Sequence, residues 1–153
     1  EIAIKSQSNM KGYWRNESAT KECINEHGWF KSGDLGKFDG PFLYILDRLK
    51  DMVIRGGENI ACPEVEGAIY EHPDVLEASV FGIPDERLGE ILCTSIYLRD
   101  NSNATEETIR DFLSNKLAAF KIPAVIKFST EPLPKLASGK FDKPTLRDLF
   151  ENK

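Results

Sequence analysis

Cysteine is scarce in this sequence and unsuited to any framework, since Cys23, Cys62 and Cys93 lie far apart, make no CxxC pair and are odd in number. A disulfide scaffold and a thiolate zinc site are both disfavoured, and a reducing cytoplasm fits best. Long apolar runs are missing too. No stretch approaches the ~20 residues of a membrane helix, and the N-terminus, EIAIKSQSNMKGYW, lacks the basic-then-apolar layout of a signal peptide. Basic charge is in deficit: the net charge is -5, which argues against the clustered Lys and Arg that a nucleic-acid partner requires. Histidine is limited to His27 and His72, neither with a carboxylate or cysteine at ligand spacing. There is no internal repeat and no low-complexity tract. The chain also lacks a starting methionine, and a strand-like EIAIK with no turn before it reads as a chain entered midway.

What is present is an ordinary soluble make-up of 153 residues, 41% hydrophobic and 29% charged, enough for one domain or one domain plus a fragment. From Glu1 to about Asp47 short apolar runs alternate with polar turns: Ile2-Ala3-Ile4, Gly12-Tyr13-Trp14, Gly28-Trp29-Phe30, and Phe42 to Leu46 after the turn Asp39-Gly40-Pro41. Asn16 to Glu26 has room for one short helix. Small strands of this kind carry too little apolar surface for a core of their own. Trp14 and Trp29 read as core or subdomain-contact aromatics.

From Met52 the periodicity is richer. A helix is predicted from Pro63, where a missing N–H costs nothing, with Val65, Ala68, Ile69 and His72 on one face and Pro73 closing the segment. Val75 to Ile83, Ile91 to Leu98 and Val125 to Phe128 read as strands, Thr105 to Leu117 and Pro144 to Phe150 as helices. This order predicts a compact α+β unit of about a hundred residues.

Four polar segments carry chemistry. Ser32-Gly33-Asp34 is a tight turn whose carboxylate can accept two hydrogen bonds at once, for which vicinal hydroxyls are natural donors, although an isolated segment of this kind also reads as an Asx turn. Asp47-Arg48-Leu49-Lys50 is a linker by organisation, and Arg48 offers a planar fork of donors for ribose or phosphate oxygens; alone, it also reads as a solvated charge cluster. Arg55-Gly56-Gly57-Glu58-Asn59 pairs two glycines where a backbone must turn sharply or approach a ligand, and a plain hairpin turn satisfies the same residues. Lys140, after Ala137-Ser138-Gly139, is a compact charge in an exposed turn. It suits the stabilisation of oxygens on which negative charge builds, yet a lone surface lysine is commonly inert.

Taken in order, EIAIKSQSNMKGYW, GWFKSGDLG, LDRLKDMVIRGGENIACPEVE and LPKLASGKFDK resemble the motifs of the adenylate-forming enzymes, which include acyl-CoA synthetases, firefly-type luciferases and peptide-synthetase adenylation domains. The resemblance covers nearly the whole chain, and GGENI followed by PEVE leans toward acyl-CoA synthetases. It implies a β-rich end of a large AMP-binding domain over residues 1–47 and a compact C-terminal α+β lid over 48–153. Asp34 would bind the ribose of ATP and of the acyl-adenylate, and Arg48 the nucleotide. Lys50 would be the hinge about which the lid rotates between two reactions, Gly57 would line the pantetheine tunnel of CoA, and Lys140 would be the catalytic lysine of adenylation.

By the same resemblance the full enzyme activates a carboxylic acid, expected to be fatty, with ATP, releasing pyrophosphate, and passes the acyl group to CoA with release of AMP. The phosphate loop, the adenine strand, the glutamate that holds Mg2+ and the acyl pocket belong to residues outside this chain. The fragment is therefore expected to be inactive without the N-terminal domain. Loading of a carrier-protein thiol and a non-catalytic binding module are the rival readings; the first usually carries a GxRIE-like loop in place of GGENI.

Overall fold

The apolar runs on either side of Pro84-Asp85 pair with each other, so that β7 (Val75–Asp85) and β8 (Gly89–Leu98) form a long antiparallel hairpin with Val80 opposite Thr94 and Phe81 opposite Cys93. Its turn is held by Asp85, whose Oδ1 accepts the N–H groups of Arg87 and Leu88 at 3.0 and 2.8 Å. The computed structural model describes residues 1–151. Seven further strands are β1 (Ala3–Ile4), β2 (Phe30–Lys31), β3 (Asp34–Asp39), β4 (Phe42–Arg48), β5 (Val53–Arg55), β6 (Glu58–Ile60) and β9 (Val125–Ser129). The helices are α1 (Glu17–Cys23), α2 (Cys62–Tyr70), α3 (Glu106–Ser114) and α4 (Lys143–Glu151).

The chain divides into two compact units, Glu1–Lys50 and Asp51 onward. The division falls after Lys50, beyond the boundary expected at Asp47, because β4 continues through Arg48 and pairs that residue with Asp34 of β3.

In the second unit the sheet runs β6-β5-β8-β7, and β9 adds in parallel along the far half of β8. Side chains alternate across it. One face meets α2 and α3 in a core that includes Val65, Ile69, Val80, Leu92, Ile96, Ile109 and Leu113. The other face meets α4 through Phe81, Cys93, Leu133, Leu146 and Phe150. Pro63 lies in the first turn of α2, as its missing N–H allows, with the helix starting one position earlier at Cys62. His72 falls beyond the end of α2, where its Nδ1 accepts the Asp74 N–H and its ring meets Phe112 edge-on. α3 opens with a capping box between Thr105 and Thr108 and ends at Ser114, short of the predicted Leu117.

β7 lies at the end of the strand order, and its outer edge is covered by side chains rather than by another strand. Tyr70 Oη exchanges hydrogen bonds with Ala78, Glu66 Oε1 accepts the Val80 N–H at 2.9 Å, and Arg147 Nε donates to the Gly82 carbonyl. An unpaired edge invites association with other chains, and this row of contacts blunts it.

The first unit has no comparable core: every buried apolar side chain among the described residues lies at or beyond Val53. Its pieces are the two-residue β1–β2 ladder, α1 capped by Asn16, and the β3–β4 hairpin turning at Gly40. Trp14 is 86% exposed and Trp29 43%, so of the two roles expected for them, core or subdomain contact, neither residue fills that of core within this unit.

Candidate functional site

Asp34 and Arg48 come together because they occupy directly opposed positions on β3 and β4, and Arg48 Nε lies 3.3 Å from Asp34 Oδ1. The turn before Asp34 is built for that aim. Gly33 has φ +76°, Ser32 Oγ accepts the Asp34 N–H at 3.1 Å and donates to the Ile2 carbonyl, and Leu49 N–H donates to the Gly33 carbonyl at 2.8 Å. Beside the pair is a cavity of about 440 Å³ lined by Ser32, Gly33, Arg48, Leu49 and Lys50. An ion pair so open to solvent contributes little to stability, so its consequence is orientation: it holds the Arg48 guanidinium, which lines the cavity, beside the Asp34 carboxylate. The sequence reading singled out Asp34, Arg48 and Lys50 but missed Leu49 and the lining role of Ser32 and Gly33. Only the hairpin register brings those backbones together.

Gly57 and Lys140 both belong to the second unit, and the structure does not bring them together. Gly56 and Gly57, with φ of +58° and +90°, form the two-residue turn between β5 and β6, with Arg55 opposite Glu58. Two successive positive φ values describe the turn favoured in tight hairpins. The Gly56 N–H donates to the Leu88 carbonyl, which fastens this turn to the β7–β8 bend. A Cβ placed at Gly57 would meet nothing within 4 Å, so the loop is open to an approaching ligand.

Lys140 closes a small hairpin of its own. Leu136 N–H donates to the Lys140 carbonyl at 2.8 Å, Gly139 N–H to the Leu136 carbonyl, and Lys135 pairs with Phe141. The stem is anchored near the start of β7, where Glu77 accepts the Leu133 N–H at 2.8 Å and pairs with Lys135. From Glu77 to Asp85 the strand spans roughly 26 Å at the usual rise per residue. The ascending limb of the Lys140 hairpin is thus tied near the start of β7, whereas the Gly56-Gly57 turn is tied to the bend beyond its end.

Burial works to raise the Glu77 carboxyl, but hydrogen bonds from Lys135 and the Leu133 backbone, with the Lys135 charge, outweigh it and hold the group below its ordinary range. Sequence reasoning missed Glu77 because a glutamate at one position of an apolar strand carries no local signal of what will pack against it. Among the described residues no group of three or more His, Cys, Asp or Glu side chains is arranged to hold a metal ion. Nor is any described helix long and apolar enough to cross a membrane.

The AMP-binding enzyme C-terminal domain model matches residues 64–140. The zebrafish (Danio rerio) mitochondrial medium-chain acyl-CoA ligase ACSF2 is 40% identical over 153 residues, covering 99% of this chain and 25% of that protein. The 2-succinylbenzoate–CoA ligase of Bacillus licheniformis is 44% identical over 141 residues, covering 92% of this chain and 29% of that protein. Among solved structures, o-succinylbenzoate CoA synthetase (MenE) from Bacillus subtilis, in complex with the acyl-adenylate intermediate OSB-AMP, superposes with a TM-score of 0.84 at 37% identity, over 100% of this chain and 30% of that one. The chain therefore spans between a quarter and a third of the length of these relatives, and its α+β architecture is that of the C-terminal part of adenylate-forming ligases.

Proposed function

This chain belongs to the AMP-binding enzyme C-terminal domain family, and from that premise we propose that it forms the C-terminal part of an acid–thiol ligase that makes an acyl-adenylate from a carboxylic acid and ATP and transfers the acyl group to CoA. Asp34 accepts hydrogen bonds from the two ribose hydroxyls while the neighbouring Arg48 donates to nucleotide oxygens from the cavity it lines. Lys140 supplies a point charge where the acid carboxylate attacks the α-phosphate and pyrophosphate leaves. Gly57 leaves room for the pantetheine arm as the CoA sulfur attacks the acyl carbon and AMP leaves. Lys50, at the last position of the first unit, is the hinge between residues belonging to the large domain and the lid.

The observation that carries this reading is that the Lys140 hairpin is anchored near the start of β7 while the Gly56-Gly57 turn is anchored at the β7–β8 bend. Loops fixed at different points of one compact unit serve two reactions when the unit presents each in turn. The name of the zebrafish relative supports a fatty acid as substrate, and the succinylbenzoate relative supports a bulkier acid as the competing class. The scarcity and wide spacing of Cys23, Cys62 and Cys93 support a reducing, cytoplasmic setting.

The test is to measure the two half-reactions separately in the full-length protein with a panel of acids: ATP–pyrophosphate exchange for the first, thioester formation from preformed acyl-adenylate for the second. Lys140→Ala should impair only the first and Gly57→Leu only the second. Equal impairment of both steps by either substitution would overturn the two-orientation reading.

A further inference from the structure

The Lys140 side chain is exposed on its hairpin, and the carboxylates that anchor the hairpin to the rest of the unit lie outside it. On the ascending limb, Glu77 of β7 accepts the Leu133 N–H through Oε2 and the Lys135 ammonium through Oε1, so one carboxylate grips the chain at two positions two residues apart. Lys135 in turn lies 5.4 Å from the centroid of the Phe141 ring, which belongs to the descending limb next to Lys140. On that limb the chain enters α4, where Lys143 pairs with Glu66 at 3.1 Å, the same carboxylate that accepts the Val80 N–H from the edge of β7. Each limb is therefore held by a glutamate–lysine pair, the ascending one on β7 itself and the descending one on Glu66 of α2, which is bonded in turn to β7. The Glu77 side chain is only 16% exposed, and a charge so placed needs both of its partners.

We propose that Glu77 is a positioning residue for Lys140, acting through Lys135 and Leu133 to hold the hairpin at the height from which the Lys140 ammonium reaches the reacting phosphate; the inference rests on the role given to Lys140 above. Glu77 touches neither substrate nor nucleotide. Its contribution is geometric, and displacing a catalytic group by about 1 Å is enough to cost up to ~10²-fold in rate.

The experiment uses the full-length ligase and the same two half-reactions, with Glu77→Gln, Lys135→Met and Lys135→Arg made in the native and the Lys140→Ala backgrounds. Glutamine keeps one acceptor and turns a donor toward the other partner. Lys135→Met removes the brace but leaves the Leu133 anchor, and so covers the case in which Glu77→Gln fails to fold. The expected result is that adenylation falls about 10-fold in Glu77→Gln and Lys135→Met, stays near the wild-type rate in Lys135→Arg, and falls no further when either change is added to Lys140→Ala. Thioester formation from preformed adenylate should be unchanged throughout. The inference is overturned if Glu77→Gln and Lys135→Met leave adenylation intact while Lys140→Ala slows it, if both half-reactions fall together, or if the loss repeats in full on top of Lys140→Ala. If Lys140→Ala itself leaves adenylation unchanged, the function proposed for this chain fails, and the inference goes with it.

Discussion

Arg48 reaches Asp34 across a single pair of strands, Nε to Oδ1 at 3.3 Å, from the register position directly opposite. In the full-length enzyme either Asp34→Ala or Arg48→Ala should raise KM for ATP by roughly 10- to 100-fold, the loss of one or two charge-assisted hydrogen bonds. The double variant should cost less than the product of the two, because each single change already misorients the other group. Steady-state kinetics with ATP as the varied substrate measures this, and fully multiplicative effects would show that the two side chains act separately.

Lys140→Ala should slow adenylation by roughly 10²-fold or more, comparable to removing other preorganised charge stabilisers, while thioester formation from adenylate and CoA stays near the wild-type rate. Gly57→Leu should do the reverse. Its Cβ meets no atom within 4 Å, so no packing is lost, but the φ of +90° makes any side chain there cost about 1–2 kcal/mol of backbone strain. A melting curve taken beside the rates separates that strain from blockage of the thiol.

Glu77 predicts an acid-side dependence. Its carboxyl ionises more readily in the folded protein than at the ordinary value of 4.5, so its ionised form stabilises the fold. That stabilisation is complete above the unfolded value and disappears as pH falls through the folded one. Stability should accordingly decline as pH drops below 4.5, and more steeply in the wild type than in Glu77→Gln. Melting temperature followed as pH is lowered tests the sign; parallel curves for the two proteins would refute it.

The cysteines should differ in reactivity. Burial pushes the Cys93 thiol up to about 11, against the opposing Lys127 charge and Val125 N–H, so at neutral pH almost no thiolate exists. Cys62 is also buried, whereas Cys23 is partly exposed. Brief alkylation of the native chain followed by mass spectrometry should label Cys23 and spare the other two until denaturant is added.

The 153-residue chain by itself should show no ATP–pyrophosphate exchange with any carboxylic acid, since its sequence contains no Ser/Thr/Gly-rich phosphate loop. Hydrogen exchange on the same sample should find lasting protection in β7, β8 and α2 and fast exchange in β1 to β4, where no apolar side chain is buried. Uniform protection would contradict the contrast, and measurable exchange of pyrophosphate would contradict the role given to the residues outside this chain.

The elements of the second unit were legible in the sequence because local forces decide them: β-branched runs on either side of Pro84-Asp85, Pro63 at a helix start, and the Ile109/Leu113 stripe of α3. The order of short polar motifs likewise pointed to the family, and it singled out Asp34, Arg48, Lys50, Gly57 and Lys140 as the candidates to test. Tertiary structure alone decided how those residues relate. Strand register, which no periodicity states, put Arg48 against Asp34 and moved the end of the first unit to Lys50. Between the core and subdomain-contact roles open to Trp14 the sequence could not choose, because a large aromatic suggests burial without saying against what, and this unit supplies no surface that buries it. Glu77 stayed invisible for the opposite reason: its meaning depends on Leu133 and Lys135, more than fifty residues along the chain, and only the fold brings them within hydrogen-bonding distance.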